Sequence, residues 1–392
     1  MKDSYDVVVV GAGINGLSSA YHLLSRGVGR VALLEQFELL HGRGSSHGYS
    51  RITRSTYNSA RYADLVQTAH REDWPRLSRD TGATLLHPTP GCFFGPHLAP
   101  YLESLQAVPE ALAQVNILSV KEGRKRFPFF RFPDTDHVVH DLSCSLIAAR
   151  TTMESLAACA SKLGCDIREG CLVESLDHSG SRLNLKTSQG SIECDRVILT
   201  AGPWIERLIP SLTPKLRVAH QDVGYFLPRT PNLEIGPGNK FPVWVYAGKE
   251  HDDSFYGLPE YSRPGIKIAR HRTGSHKDNP DRKIAPEMPP EVKADLESFA
   301  ARQFAFPLEN VGYEACLYTN TPNEDFLLDH YPGDSRIVIG AGFSGHGFKF
   351  GPLTGRILVG LLLDGSSGVE AFERHRSAFQ ISRAPSYETA RS

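Results

Sequence analysis

Four residues near the N-terminus have the types and spacing needed to bind a dinucleotide. Gly11, Gly13 and Gly16 form a G-x-G-x-x-G pattern directly after the apolar residues 7–10, and Glu35 ends the next apolar run. In this pattern the glycines allow a sharp turn, a close approach of backbone to a pyrophosphate, and tight packing of a helix on a strand. The helix that follows offers unpaired N–H groups to the phosphates. Because a carboxylate at Glu35 suits two free ribose hydroxyls, the pattern argues against a cofactor with a 2′-phosphate.

A second glycine-rich segment, residues 340–349, begins in a predicted strand near the C-terminus. It contains four glycines together with His346 and Lys349. Glycine at this density lets the backbone approach a ligand closely, which favours a loop beneath a cofactor ring that also presents a cation to a substrate. The alternative is a flexible turn with a solvated lysine, but such a turn would not need Phe343 and Phe348.

Four further residues carry reactive side chains whose role the spacing leaves open. Arg51 and Arg54 lie among small hydroxyl residues. They suit a pyrophosphate or a substrate carboxylate, because a guanidinium group binds such anions with two parallel hydrogen bonds; the segment fits a basic surface loop equally well. Cys316 is interpreted as a buried structural thiol. Lys267 alternates with apolar neighbours on a predicted strand, which favours a cross-strand salt bridge or a side chain that extends to solvent.

The composition excludes several classes of protein. The chain has 392 residues, of which 40% are apolar and 22% charged, and a net charge of −1. These values are ordinary for a globular protein and give no electrostatic basis for binding nucleic acid or an anionic membrane. No apolar stretch approaches the roughly 18 residues needed to cross a bilayer.

The seven cysteines form no C-x-x-C or Cys/His cluster, so we expect reduced thiols inside a cell and no metal site. We take Met1 as the native start, because residue 7 already begins the nucleotide-binding unit.

The order of the predicted elements indicates an α/β fold in which a Rossmann-type unit is interrupted twice. A helix is predicted over residues 151–164, a hairpin over 172–199, and a strand over 336–340 followed by a helix over 352–363. A nicotinamide-dependent domain is usually continuous, so the interruption favours FAD, a long cofactor bound by segments from both ends of a chain. The predicted FAD-binding domain comprises residues 1–75, 146–215 and 318–392, and the predicted substrate domain, an α+β part built on an antiparallel or mixed sheet, comprises 76–145 and 216–317.

The chain resembles the monomeric sarcosine oxidase family of flavoenzymes, most closely its animal branch of peroxisomal sarcosine/pipecolate oxidases. The similarity covers nearly the whole chain and is thin at residues 76–145 and 270–300. It is strongest in four parts of the sequence: VGAGING at 10–16; RGSSHG at 43–48 with Arg54 and Tyr57; YGLP at 256–259 with GIK at 265–267; and CLYTNTP at 316–322 with GFSGHGFK at 342–349.

The resemblance implies roles for individual residues. In the family, the cysteine that corresponds to Cys316 is bonded through sulfur to the 8α-methyl group of FAD, and the lysine that corresponds to Lys267 activates oxygen. The resemblance also implies that Arg54 and Lys349 bind the substrate carboxylate. Residues that match others lining the family's active site are Arg51, His47, Tyr256, His271, Tyr318 and His346. The expected cofactor contacts, besides the glycine pattern and Glu35, are Arg43, Ser45, Ser46, His47, Val173, Ala201, Gly202, Trp204, Gly342, Gly345, His346, Gly347 and Lys349.

These features lead us to expect an FAD-dependent oxidase of small secondary amino acids, such as sarcosine, L-pipecolate, L-proline or related N-alkyl amino acids. The substrate C–N bond would be oxidised to an imine while O₂ is reduced to H₂O₂. Two alternatives stay open: an FAD-dependent dehydrogenase with an acceptor other than O₂, and a catalytically inactive flavin-binding interaction protein.

The same resemblance leads us to expect a monomer whose partners are a small-molecule amino acid and O₂. It also implies a peroxisomal location. Residues 390–392, Ala-Arg-Ser, lack the leucine that ends a Ser-Lys-Leu-type signal, so the cytoplasm is the alternative compartment.

Overall fold

The structure is a computed structural model that describes residues 3–237, 240–250, 253–271, 278–282 and 285–388. Residues 390–392, on which the expected compartment depends, lie outside this part of the chain.

Two eight-stranded sheets and a three-stranded sheet form the framework. In chain order the strands are β1 (Asp3–Val10), β2 (Val31–Leu34), β3 (Ser50–Thr53), β4 (Leu86–Pro88), β5 (Gly91–Phe94), β6 (Val115–Ser119), β7 (His137–Asp141), β8 (Ser145–Ala148), β9 (Asp166–Arg168), β10 (Val173–Asp177), β11 (Leu183–Thr187), β12 (Gly190–Leu199), β13 (Arg217–Pro228), β14 (Val243–Tyr246), β15 (Phe255–Leu258), β16 (Ile266–Arg270), β17 (Leu308–Asn320), β18 (Leu327–Tyr331) and β19 (Asp334–Ala341).

Helices connect and cover these sheets. The α-helices of the described chain are α1 (Ile14–Ser25), α2 (Ala60–Thr68), α3 (Trp74–Thr81), α4 (Ala99–Ala107), α5 (Pro109–Leu112), α6 (Val120–Arg126), α7 (Ala149–Lys162), α8 (Ile205–Leu208), α9 (Pro290–Gln303), α10 (Gly351–Asp364) and α11 (Glu370–His375). A π-helical turn, Ala69–Asp73, joins α2 to α3. The helices predicted over 151–164 and 352–363 are found as α7 and α10, with small shifts at their ends. Among the described helices, none is long and apolar enough to cross a membrane.

The first large sheet is a Rossmann-type sheet centred on β1. Its strand order is β10–β11–β12–β1–β2–β9, with β19 beside β12 and β18 beside β19. Strand β1 pairs in parallel with β2 and β12, and β12 pairs in parallel with β19. Residues 7–10 are all buried, as expected for a central parallel strand that is covered on both faces. The predicted hairpin over 172–199 is found as the antiparallel run β10–β11–β12.

The second large sheet has the order β17–β13–β16–β15–β14–β5–β7–β6. Its described pairs are antiparallel except β14–β5. One face packs against α9 through aromatic side chains, with Trp244 and Phe255 each stacked on Phe299. Because neighbouring residues of a strand point to opposite faces, β13 and β16 present Tyr225 and Lys267 on the other face.

The two large sheets take their strands from alternating parts of the chain. The Rossmann-type sheet uses segments within residues 3–34, 166–199 and 327–341, and the second sheet uses segments within 91–141 and 217–320. The predicted fold class, a Rossmann-type unit interleaved with a mixed sheet, is therefore confirmed. The domain limits stay a prediction, and β8 and β17 each run across one of them.

Candidate active site

A cavity of about 590 Å³ extends from the end of β1 to the face of the second large sheet that lies opposite α9. Its lining combines the glycine turn at the N-terminus, the basic segment near residue 50, and the glycine-rich loop after β19. The predicted site residues that line it are Gly11, Gly13, Glu35, Ser45, Ser46, His47, Arg51, Arg54, Val173, Ala201, Gly202, Trp204, Tyr256, Lys267, His271, Cys316, Tyr318, Gly345, His346, Gly347 and Lys349.

Three predicted cofactor contacts do not line this cavity. Gly16 instead allows close packing, since a Cβ there would lie 1.8 Å from the carbonyl oxygen of Gly11. Gly342 has a φ of +64°, and a Cβ there would approach Thr321. Arg43 is exposed and places its guanidinium over the ring of Phe37 at 4.5 Å. Gly16 and Gly342 thus allow the backbone to pack closely and to turn at these positions, whereas Arg43 lies on the surface.

The nucleotide end of the cavity is a backbone cradle. Gly11 has a φ of +94°, and a Cβ there would lie 2.5 Å from the carbonyl oxygen of Thr200. This crowding and the positive φ require glycine. Helix α1 begins directly after Gly13, and Ser46 Oγ accepts a hydrogen bond of 3.1 Å from the Ile14 amide. The partial positive charge of this helix end is therefore directed at the cavity.

Glu35 is held in an ionised state at the same end. Its Oε2 accepts a hydrogen bond from the Ala12 amide at 2.9 Å, its Oε1 accepts one from the Phe37 amide at 3.0 Å, and His41 Nε2 lies 3.3 Å from Oε1. Burial by itself raises the pKa of Glu35, but the hydrogen bonds from His41 and the two amides lower it below its usual value. The cradle, the helix end and this carboxylate together fit a dinucleotide that has free ribose hydroxyls.

Lys267 projects from β16 into the opposite end of the cavity. Its side chain is buried, and Nζ donates to the carbonyl oxygen of Ser50 at 3.4 Å. Within the described chain it forms no ion pair, so the cross-strand salt bridge and the solvent-directed side chain that the spacing favoured are both wrong. Burial, followed by the charge of Arg51, lowers the pKa of Lys267 to about 8, while Glu314 opposes this shift.

Lys349 is a second buried ammonium group. Nζ donates to the carbonyl oxygen of His346 at 3.2 Å and lies 5.5 Å from the ring centre of Tyr57. Burial, together with the charge of Arg54, lowers its pKa well below the ordinary value. The Trp74 indole donates to the Lys349 carbonyl oxygen at 2.8 Å, which holds the backbone in place. The alternative of a solvated lysine in a flexible turn is therefore wrong.

The two arginines of the basic segment both line the cavity. Arg51 donates through its guanidinium nitrogens to the carbonyl oxygens of Ser45, His47 and Ser50. Arg54 stacks its guanidinium over Tyr57 at 4.7 Å, and its buried Nε has no hydrogen-bond partner in the described chain. Arg54 therefore has donor capacity left for a ligand, and the surface-loop alternative is wrong.

Further polar groups complete this end of the cavity. The hydroxyl groups of Tyr256 and Tyr318 lie 3.0 Å apart, and burial raises the pKa of Tyr256 to about 12. Cys316 on β17 is buried and lines the cavity, and burial raises the pKa of its thiol. His271 Nε2 lies 3.2 Å from Glu324 Oε1. His346 is uncharged near neutral pH, because burial lowers its pKa to about 3.

Several residues that line the cavity are not among the predicted site residues. Glu314 has a signal that could have found it: it precedes Cys316 by two residues on one strand, and such residues share a face. His41 has no comparable signal, because its contact with Glu35 depends on the path of the loop after β2. The same holds for Tyr101, which reaches the cavity from α4 in the segment where the family resemblance is thin.

Comparison with known proteins bears on the cofactor and the chemistry of this site. The family model named DAO, FAD dependent oxidoreductase, matches residues 6–361. The peroxisomal sarcosine oxidase of Homo sapiens is 33% identical over 98% of this chain and 97% of its own length. The monomeric sarcosine oxidase of Bacillus sp. (strain B-0618) is 29% identical over 98% of this chain and 97% of its own length.

Solved structures share the fold. The amino acid oxidase NikD, described as essential for nikkomycin biosynthesis, superimposes in its open form with a TM-score of 0.81 at 22% identity, covering 98% of each chain. The L-proline dehydrogenase from P. horikoshii superimposes with a TM-score of 0.78 at 17% identity, covering 96% of this chain and 99% of that chain. With a family model that spans most of the sequence, and a cavity whose nucleotide end fits such a cofactor, the chain belongs to the FAD-dependent oxidoreductases and is a member of the sarcosine oxidase family among them.

Proposed function

We propose that this protein is an FAD-dependent oxidase of small secondary amino acids, which oxidises the substrate C–N bond to an imine and reduces O₂ to H₂O₂. The observation that carries the proposal is the placement of Arg51, Arg54, Lys267 and Lys349 around the end of a cavity whose other end is a dinucleotide cradle. Two buried lysines beside two half-buried arginines are costly, and an anionic substrate and a reaction that develops negative charge would offset that cost.

The cofactor would be held by residues already described. The cradle at Gly11 and Gly13, the first turn of α1 and Glu35 would bind its nucleotide half, and the loop that contains Gly345 and Gly347 would lie against its ring. When bound, FAD supplies the site that accepts two electrons from the amine and passes them to oxygen. We assign Cys316 as the covalent attachment point on the strength of the family resemblance, and its place among the residues that line the cavity supports this assignment.

The substrate carboxylate would bind between Arg54 and Lys349. Both side chains line the cavity and contact the ring of Tyr57, so they approach the same space. Two cations on one carboxylate fix the orientation of the amino acid and thus the position of its reacting carbon. The Tyr256–Tyr318 hydroxyls and uncharged His346 would surround the amine without adding charge. The amine must lose its proton before oxidation, so the reaction with substrate should speed up as the pH rises.

Lys267 would serve the reaction with oxygen. Its ammonium is buried and free of an ion pair within the described chain. A preorganised positive charge stabilises the negative charge that develops on O₂ as it is reduced. This role favours an oxidase over the runner-up, a dehydrogenase that passes electrons to another acceptor.

A screen for peroxide production would test the proposal. The purified yellow protein would be mixed with sarcosine, L-pipecolate, L-proline and N-methyl-L-tryptophan, and both flavin bleaching without air and H₂O₂ release in air would be measured. We expect at least one of these amino acids to bleach the flavin and to yield H₂O₂, and methylamine, which lacks a carboxylate, to do neither. Bleaching without peroxide would favour the dehydrogenase, and no bleaching at all would favour the inactive flavin-binding protein.

The assembly and the compartment follow from the resemblance alone. We propose a monomer, by analogy with the monomeric sarcosine oxidases. We propose the peroxisome as its compartment by analogy with the human relative, with the cytoplasm as the alternative.

A further inference from the structure

Glu314 shares the cavity-facing side of the second large sheet with Lys267. Lys267 on β16 pairs with Tyr225 on β13, and Glu314 on β17 pairs with Val223 on β13. Opposite residues in an antiparallel ladder share a face, and so do residues two apart on one strand. The register therefore places Glu314 and Lys267 on one face, diagonally across β13, and both line the cavity.

The carboxylate of Glu314 is fixed rather than mobile. The Tyr225 hydroxyl donates to Glu314 Oε2, and Arg263 Nη1 lies 3.4 Å from Oε1. Arg263 is itself tied to the backbone by donating to the Tyr313 carbonyl oxygen at 3.2 Å. Burial by itself raises the pKa of Glu314, but the hydrogen bond from Tyr225 and the charge of Lys267 lower it below its usual value. Glu314 is thus a fixed negative charge at neutral pH.

Apart from Glu314, the charged groups around Lys267 are mainly positive, and together with burial they lower its pKa. The titratable or charged groups that face it are Arg51 from β3, His47 from the preceding loop, Arg263, Tyr225 from β13, and Glu314 and Cys316 from β17. Of this set only Glu314 carries a negative charge near neutral pH. The other carboxylates in the described lining are engaged elsewhere: Glu35 with His41 and backbone amides, Glu324 with His271, and Asp325 with Arg61.

We propose that Glu314 is a positioning residue that keeps Lys267 protonated and thereby sets the pH range in which the reduced enzyme reacts with oxygen. The proposal rests on the proposed role of Lys267 in that reaction. Glu314 exchanges neither electrons nor protons with O₂; its charge acts on Lys267 Nζ. Because the pKa of Lys267 is about 8, a change of charge beside it alters the protonated fraction in the pH range in which enzymes work.

The test is the pH dependence of flavin reoxidation in Glu314→Gln and Glu314→Asp. Each FAD-loaded variant would be photoreduced without air, with EDTA as the electron donor, and mixed with oxygenated buffer from neutral to alkaline pH, so that no amino-acid substrate is needed. In the wild type, reoxidation should slow as the pH rises through the pKa of Lys267. In Glu314→Gln the midpoint should fall by about one pH unit or more, since an opposite charge at close range shifts a pKa by this amount. Glu314→Asp keeps the charge one methylene further away and should shift the midpoint less, in the same direction.

The matched control is Glu309→Gln, which removes the same charge from the same strand, at an exposed residue paired with Arg229 at 3.4 Å. Its midpoint should equal that of the wild type. A wild-type midpoint in Glu314→Gln would overturn the inference; if that variant does not take up FAD, a wild-type midpoint in Glu314→Asp would do so. The variant Lys267→Met tests the role of Lys267 separately. Normal reoxidation in Lys267→Met would contradict the proposed role of Lys267 itself. Slow reoxidation in Lys267→Met, together with an unshifted midpoint in Glu314→Gln, would contradict only the inference about Glu314.

Discussion

Single residues in this cavity derive their chemistry from burial. Lys267 and Lys349 are lysines of ordinary type whose ammonium groups have been withdrawn from water, and the pKa values of both fall for that reason. A buried charge interacts more strongly with a ligand than an exposed one, because the local dielectric constant is lower.

Replacement of Lys267 by Met should separate the two half-reactions. Loss of one preorganised positive group typically costs about 10²–10³ in rate, so we expect reoxidation by O₂ to slow by that factor. Reduction by the amino acid should change by less than about tenfold. Stopped-flow absorbance of the flavin measures both steps. The control is Lys293→Met, an exposed lysine on α9, which should behave as wild type; equal losses in the two half-reactions would move Lys267 from oxygen activation to substrate binding.

Replacement of Lys349 or Arg54 by Ala should weaken binding of carboxylate ligands. Removal of one partner from a buried ion pair costs about 3–5 kcal/mol, so a carboxylate inhibitor should bind far more weakly to either variant. Titration of the flavin spectrum with the inhibitor measures this. Arg229→Ala, at an exposed arginine, should leave the affinity unchanged. Unchanged affinity in both cavity variants would mean that the carboxylate binds elsewhere.

Replacement of Cys316 by Ala should abolish a covalent bond to the cofactor while leaving the cradle intact. We expect acid-precipitated wild-type protein to stay yellow and to have the mass of the chain plus FAD. The variant should release its flavin into the supernatant. Cys92→Ala is the matched control, since this buried thiol lies outside the cavity lining. Complete release of flavin from the wild type would refute the assignment of Cys316.

At the scale of elements, Asp141 at the end of β7 fixes the segment that carries Arg54. Its Oδ2 accepts hydrogen bonds from the backbone amides of Ser55 and Thr56 at 2.9 and 2.8 Å, and its Oδ1 accepts one from the Ser143 amide at 2.9 Å. The carboxylate is fully buried. A strand of the second large sheet thus holds the cation-bearing segment that follows β3.

Asp141→Ala should therefore reduce both stability and carboxylate binding. Each buried donor left without a partner costs about 1–3 kcal/mol, so we expect the free energy of unfolding to fall by about 3 kcal/mol or more. Urea denaturation of the FAD-loaded protein measures this, and the inhibitor titration should show weaker binding because Arg54 is no longer fixed. Asp136→Ala, at an exposed residue just before β7, should change stability by less than about 0.5 kcal/mol. Equal stability of the two variants would contradict the anchoring role.

At the scale of the whole molecule, buried histidines should make the fold sensitive to acid. Burial lowers the pKa values of His22 and His70 to about 4. In the unfolded chain they would take up protons near 6.5, so below that pH the unfolded state binds more protons and stability falls. Below about pH 6.5, each of these histidines lowers the free energy of unfolding by about 1.4 kcal/mol for every pH unit, until the pH reaches its pKa in the folded state. Asp73 acts in the opposite direction, because burial raises its pKa to about 6, and burial also raises the pKa of Asp325. The histidines outweigh these two groups, because burial lowers the pKa values of His47 and His346 as well.

We therefore expect the melting temperature of the FAD-loaded protein to fall between pH 7 and pH 5, as measured by circular dichroism. His22 Nε2 lies 2.9 Å from the Pro352 carbonyl oxygen, and His22→Gln keeps a donor for this contact without titrating. The variant should lose less stability than the wild type over the same pH range. A melting temperature that does not change between pH 7 and pH 5 would contradict this account.

The Rossmann-type unit and its cofactor class could be predicted from the sequence alone. The glycine pattern, the helix that follows and Glu35 lie within one continuous segment, and a tight turn before a helix imposes local conformational requirements that show in residue type. The order of strands and helices can also be predicted from short segments, because the hydrophobic period of a segment reflects the geometry of the helix or strand that it forms. For the same reason the family resemblance could be found in short motifs such as CLYTNTP.

Only the tertiary structure decided which of the charged residues are buried and what they face. Spacing favoured an ion-paired or solvent-directed Lys267 and left Arg51 and Arg54 open, whereas the fold buries Lys267 beside Glu314 and directs both arginines into one cavity. The lysine and the glutamate lie on strands far apart in the sequence, joined through β13. Burial and the sign of a neighbouring charge depend on such long-range pairing, and these two quantities set the pKa of a side chain. The sequence by itself therefore determined what class of cofactor the protein binds, and the tertiary structure determined which side chains meet it and in which protonation state.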